Sequence, residues 1–180
     1  MLSKLLLGAV LTLGSIGYAS ASTETKTCDI FTQDQIKVLQ FAHDKGKPYD
    51  LQWTLAAIAW QESSAGLKHK NPKADSYGIF GSLLTTVEAR LKDKEFADSL
   101  SKVPLNRKQT IFLLKHDWEF SSEFALAELT YWQDRHKNDH RKTVSSYFGG
   151  NRPNTTAAKG YAKSLNEKIR FLKQTGCIHG

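Results

Sequence analysis

The sequence predicts an all-α fold, or an α fold with minimal β structure, built as one domain. Three observations predict it. Helix-start signatures recur along the chain, apolar residues repeat at three- and four-residue spacing, and no segment shows the strict alternation of a half-buried strand. The 180 residues suffice for a single sizeable core, and no internal repeat, low-complexity tract or long linker divides them.

Thr32-Gln33-Asp34-Gln35 reads as a capping box, with the threonine capping and Gln35 reaching back. The helix it starts turns Ile36, Leu39, Phe41 and Ala42 inward and ends at Gly46 and Pro48. A second helix is expected from about residue 50 to 62, with Leu51, Leu55 and Ile58 on one buried face and Gly66 as its stop. Residues 63–81 read as a loop, where a site held on a rigid scaffold is expected. Thr85 with Glu88 repeats the capping-box pattern before a short helix. Asn106 with Gln109 repeats it again before Ile111-Phe112-Leu113-Leu114, read as a buried helix. Ser121 or Ser122 is expected to cap a helix reaching Arg135, with Phe124, Ala125, Ala127, Leu129, Tyr131 and Trp132 mostly in the core. A short segment over 143–147 leads into a turn cluster over 148–153. The last helix spans about 156–174, with Ala158, Tyr161, Leu165 and Leu172 on one side and Gly176 at its end.

The first residues predict an export address. Lys4 is a basic n-region, residues 5–16 are an apolar h-region, and Ala19-Ser20-Ala21 is a small-x-small cleavage site. This makes 1–21 a signal peptide and 22–180 the mature domain, periplasmic or extracellular. The apolar run is shorter than the roughly 18–20 residues of a membrane span, so no stable span is expected after cleavage. Thr25-Lys26-Thr27 before Cys28 is no lipobox. Cys28 and Cys177 are an even pair in an exported chain, which invites one bridge between the two ends; two separated thiols are the alternative.

Without Lys4, the basic residues exceed the acidic ones by 6, a balance that suits an anionic partner. No zinc-finger, RNA-recognition or basic-zipper pattern appears, so nucleic acid is not expected. Anionic wall polymers or membrane surfaces fit an exported chain better. His136 and His140 stand four apart, but no Glu follows His136 in the zinc-hydrolase pattern and no third ligand is evident, so no metal is expected. The serines lack a nucleophile elbow and no phosphate-cradling loop follows a strand, so no cofactor is expected either. Asp117, Glu119, Glu123 and Glu128 read as solvated helix charges.

What remains is Glu62, in Ala57-Ile58-Ala59-Trp60-Gln61-Glu62-Ser63, together with Asp75-Ser76-Tyr77-Gly78-Ile79-Phe80-Gly81 and an aromatic stretch near 147–161. Glu62 leaves its helix four residues past Ile58, beside the buried face. The negative end of the helix and the nearby Trp60 both disfavour ionisation, which raises the carboxyl pKa and makes a general acid. A plain solvated helix end is the other reading.

These segments, in this order, resemble the lytic transglycosylase domain of the soluble-transglycosylase type, in the lysozyme-like superfamily. Ala57 to Ser63 is similar to the family's catalytic segment ending in Glu-Ser. Ser76-Tyr77-Gly78-Ile79-Phe80-Gly81 resembles its Gly-Leu-Met-Gln segment, and Ser146-Tyr147-Phe148-Gly149-Gly150 its Ala-Tyr-Asn-Ala-Gly segment. Tyr161 sits where a tyrosine of the last helix is expected. Gly81 replaces a sugar-contacting glutamine and Phe148 an asparagine.

The resemblance implies a lysozyme-like fold and cleavage of peptidoglycan glycan strands between N-acetylmuramic acid and N-acetylglucosamine. Glu62 would act as acid and then as base, leaving a 1,6-anhydro sugar without water or metal. Ser63 would orient Glu62, Tyr147 or Tyr161 would hydrogen-bond to it, the turn from Gly78 to Gly81 would wall the sugar groove, and Ser76, Tyr77, Gly78, Ile79 and Phe80 would bind substrate or orient the acid. The alternatives are a water-using muramidase, with Asp75 as the second carboxylate, and a non-catalytic peptidoglycan-binding protein on the same scaffold.

Overall fold

The computed structural model describes residues 28–71, 74–100 and 104–180, and its helices are packed around α2 (Gln52–Ser63). Leu55, Ala56, Ala57, Ile58 and Ala59 of α2 all have zero exposure. A helix apolar all round is a buried one, so the expectation of a single buried face is corrected: α2 is enclosed. The two expected anchors, Leu55 and Ile58, are in the core, and the alanines between them are equally dry.

Two helices enclose α2 most closely. α1 (Gln33–Gly46) lies along it, entered through the predicted capping box: Gln35 N–H reaches Thr32 Oγ1 at 3.3 Å and Thr32 N–H reaches Gln35 Oε1 at 2.9 Å. α8 (Thr156–Thr175) covers another side with Ala158, Tyr161, Leu165 and Leu172, as predicted, and ends at a left-handed Gly176. The stop of α2 is not Gly66. The backbone turns left-handed already at Ser64, and the Ser63 hydroxyl donates to Ala59 O at 2.8 Å while accepting from Gly66 N–H at 2.8 Å. The serine hydroxyl thus satisfies end groups that the helix ladder leaves open.

The stretch expected to be a loop contains three two-residue strands, β1 (Lys70–Asn71), β2 (Ser76–Tyr77) and β3 (Ser82–Leu83), antiparallel in that order with Lys70 opposite Tyr77 and Ser76 opposite Leu83. Two residues are too few to show an alternating pattern. α3 (Leu84–Arg90) follows immediately, without a side-chain cap. It starts before Thr85, so Thr85 lies inside the first turn and the predicted Thr85–Glu88 box does not form. α4 (Lys94–Leu100) was not anticipated. α5 (Arg107–His116) has the predicted Asn106–Gln109 box, but of its apolar run only Leu114 is buried, and Phe112 is 62% exposed.

α6 (Trp118–Arg135) starts earlier than expected because Asp117, not a serine, caps it by accepting from Phe120 N–H. Ser121 and Ser122 are fully buried within the helix, Phe124, Ala125, Leu129 and Trp132 are in the core as predicted, and Tyr131 is exposed. α7 (His140–Gly149) is a full helix where a short segment and a turn were expected, so Phe148 and Gly149 belong to its last turn. His136 and His140 go to different partners: His136 Nε2 to Ser146 Oγ at 2.8 Å, and His140 Nε2 to Thr54 Oγ1 at 2.9 Å.

The larger core lies among α1, α2, α6, α7 and α8; a smaller one gathers Tyr77, Leu84, Val87, Leu114, Phe120 and Phe124. Cys28 and Cys177 form the disulfide, with Cα atoms 5.3 Å apart, beside the Phe31, Trp60 and Phe171 rings. No helix among the described residues is long and apolar enough to cross a membrane. The expected signal peptide, 1–21, lies outside the described residues.

The bridge closes nearly the whole folded chain, with 149 residues separating its cysteines. Cys28→Ala with Cys177→Ala is therefore expected to lower unfolding free energy by about 3–5 kcal/mol, read from denaturant curves of oxidised protein and double variant.

Candidate active site

Three elements bring their side chains to Glu62, the penultimate residue of α2. The turn between β2 and β3 presses on it directly. A Cβ at Gly81, where φ is +61°, would stand 2.8 Å from Glu62 Oε2 and 3.0 Å from its Cβ. A side chain there would push the Glu62 side chain aside, and the backbone conformation is one glycine adopts freely. From α7, the Tyr147 hydroxyl donates to Phe80 O at 3.0 Å, tying that helix to the same turn. From α8, the buried Tyr161 hydroxyl faces the carboxylate; the contact falls short of a well-formed hydrogen bond, and the hydroxyl has no other partner. Phe148 stacks on Tyr161 with ring centroids 4.8 Å apart and leaves its outer side open.

Burial raises the Glu62 pKa above the usual carboxylate range, and donation from Tyr161 offsets part of the rise. The cause differs from the expectation. Trp60, read as the desolvating group, packs against Phe31 and Phe171 near the disulfide instead. The residues that close over Glu62 come from distant parts of the chain. Burial, and then the Glu62 charge, push the Tyr147 and Tyr161 hydroxyls well up, so both stay protonated donors.

Glu62 opens onto a groove of about 540 Å³. Ser76, Ser82 and Ser146 supply hydroxyls to its lining, while Leu83, Trp132 and Phe148 supply apolar surface. It draws on both cores, taking Val87 and Phe124 from the smaller and Tyr147 from the edge of the larger. A carboxylic acid, the Tyr147 phenol and mixed polar and apolar walls can take a ligand with both hydroxyl edges and C–H faces.

The other expected site residues divide. Ser76 lines the groove. Ser63 serves the helix end and makes no bond to Glu62. Ile79 and Phe80 have zero exposure and are core, with only the Phe80 carbonyl directed to Tyr147. Gly78 is a packing position, since a Cβ there would stand 2.2 Å from Leu114 O. The Tyr77 hydroxyl donates to Asp75 at 2.7 Å, not to Glu62. Asp75 also pairs with Arg107 at 2.7 Å, and Arg107 reaches Glu88 at 2.5 Å, joining the strands to α3 and α5. Asp75 is not among the residues lining the groove.

The second carboxylate in the groove is Glu128, read from sequence as solvated. It accepts from Arg90 Nε at 2.9 Å, and both residues line the groove. The two are 38 positions apart on α3 and α6, and no local pattern joins them.

No family model matches this chain, and no solved structure gives a significant match. A relative from Enterobacteria phage T4, described as an uncharacterized 20.7 kDa protein in the vs-regB intergenic region, is 31% identical over 188 aligned positions. The alignment covers 94% of this chain and 93% of the relative. A mostly helical domain with a half-buried carboxyl group in a groove thus belongs to the family of this phage T4 protein.

Two outcomes follow from the geometry. Because the Glu62 pKa is raised in the folded state, the folded protein holds a proton that the unfolded chain releases as pH rises through the ordinary carboxylate range. Stability therefore falls across that window, and Glu62→Gln is expected to be the more stable protein above it, with the gap closing at acid pH, in denaturant melts over a pH series. Gly81→Ala is expected to cost about 1–2 kcal/mol from its left-handed backbone alone and to displace the Glu62 side chain, read as a lowered denaturation midpoint.

Proposed function

We propose that this protein is a peptidoglycan lytic transglycosylase that cleaves the β-1,4 bond between N-acetylmuramic acid and N-acetylglucosamine and leaves a 1,6-anhydro end, for wall remodelling or local wall opening. The observation that carries this reading is the setting of Glu62: a carboxyl group on the wall of a groove, its pKa raised by burial, with no ion pair to a cation among the described residues. The resemblance of the Glu-Ser, glycine-turn and tyrosine segments to soluble-type transglycosylases supplies the substrate and a lysozyme-like architecture. The disulfide suits the oxidising compartment in which a wall enzyme works.

In this reading Glu62 gives its proton to the bridging oxygen as the bond breaks. The neighbouring N-acetyl group stabilises the sugar cation. The Glu62 carboxylate then takes the proton of the same sugar's 6-hydroxyl, whose oxygen closes on C1. The acid is restored, and no water enters the product. A group that must act first as acid and then as base benefits from a pKa near the working pH. Tyr161 limits the rise by donating toward the carboxylate.

Asp75 is poorly suited to the base role of a muramidase, since its carboxylate is engaged by Tyr77 and Arg107 away from the groove lining. A binding protein without activity remains the other outcome of the same experiment.

Digestion of purified sacculi, with products identified by mass spectrometry, tests the reading. Anhydro-muropeptides are expected from the wild type and none from Glu62→Gln. Reducing-end products would indicate hydrolysis, and intact sacculi from the wild type would indicate a binding protein. Activity is expected to fall on the alkaline side as Glu62 ionises. In Tyr161→Phe that limb should move to higher pH, because the donor that lowers the Glu62 pKa is gone; a rate-against-pH series checks it.

A further inference from the structure

Among the described residues the groove lining carries one cation, Arg90, whose role the proposed chemistry does not use. Its guanidinium is held in two ways. Nε donates to Glu128 Oε1 at 2.9 Å, and the group lies over the Tyr131 ring, 5.2 Å from its centroid. Both partners belong to α6, so the Arg90 head is fixed across the gap between α3 and α6. No further hydrogen bond or ion pair engages it among the described residues, which leaves its two Nη groups without a protein partner. Arg90 and Glu128 are partly buried, with side-chain exposures of 31% and 22%.

A planar guanidinium with Nε occupied presents its two Nη groups as a fork matched to the two oxygens of a carboxylate. Two contacts hold the head before any ligand arrives, so little rotamer freedom remains to be lost on binding. Glu128 neutralises the arginine in the empty groove, and the excess of 6 basic residues that remains without Lys4 favours an approaching anion. A sugar hydroxyl would take one of the two Nη donors and waste the other.

We infer that Arg90 is a specificity-determining residue that binds a free carboxylate on the glycan, with Glu128 as its positioning residue. This rests on the glycan-cleaving reading and narrows its substrate. Muramic acid carries a lactyl carboxylate, which is consumed as an amide wherever a stem peptide is attached. The substrate class is therefore a glycan strand whose lactyl carboxylates are free of peptide.

The test is binding rather than turnover, on the inactive Glu62→Gln protein. Calorimetry would compare a muramic-acid-containing tetrasaccharide with free lactyl carboxylates and the same tetrasaccharide with those carboxylates reduced to alcohols. The carboxylate form is expected to bind about tenfold tighter, the usual scale of a hydrogen-bonded charge. Adding Arg90→Gln should abolish that preference, and Arg90→Lys, which keeps the charge but lacks the fork, should retain only part of it. A loss of fold would weaken both sugars alike and leave the ratio between them unchanged, so the ratio is the readout. Equal affinity for the two sugars, or a preference that survives Arg90→Gln, overturns the inference alone. Failure of both sugars to bind overturns the glycan reading and the inference with it.

Discussion

The site depends on one constraint: the Glu62 carboxyl is half withdrawn from water, with no ion pair to a cation among the described residues. Ionisation in that setting is disfavoured, and the carboxyl pKa rises. Everything around it serves that enclosure. The middle of α2, from Thr54 to Ala59, is buried on every side, so its last turn leaves the core beside the groove, with Glu62 only half-buried. Gly81 then closes over the emerging side chain with no atom to spare.

Holding a turn that tightly requires anchors, and they come from three directions. Tyr147 grips the Phe80 carbonyl from α7. Gly78 packs on the Leu114 carbonyl of α5. Arg107 gathers Asp75 and Glu88, joining the strands to α3 and α5. Exposed ion pairs of this kind stabilise a fold only slightly. Their effect here is geometric: they fix where the turn stands relative to the end of α2.

The same packing bears on positions 81 and 148. A glutamine at position 81 would have no room beside Glu62 in the present packing. Phe148 lays its ring flat on Tyr161. Among the described residues, Ser76, Ser82 and the cation Arg90 line the same groove as Glu62.

Much of the helical framework was legible in the sequence because its signals are local. The capping boxes at Thr32 and Asn106 form as read, and the inward face of α8 follows from its spacing alone. Local signals also misled where a competing choice existed. Asp117 outcompeted Ser121 as a cap because the helix could start earlier, and a start at Leu84 left Thr85 inside a turn. Glu62 was recognisable from its place at the end of an apolar helix.

The sequence by itself determined most of the helices, though not α4 or the full length of α7, together with the place of Glu62 at a helix end and the pairing partners available to two cysteines. Only the tertiary structure decided what buries the acid and what faces it. Tyr147, Tyr161 and Gly81 meet Glu62 from separate elements, and Arg90 meets Glu128 across two helices. A carboxyl pKa and a groove are set by groups converging in space, and no periodicity along a chain records which distant residues will converge.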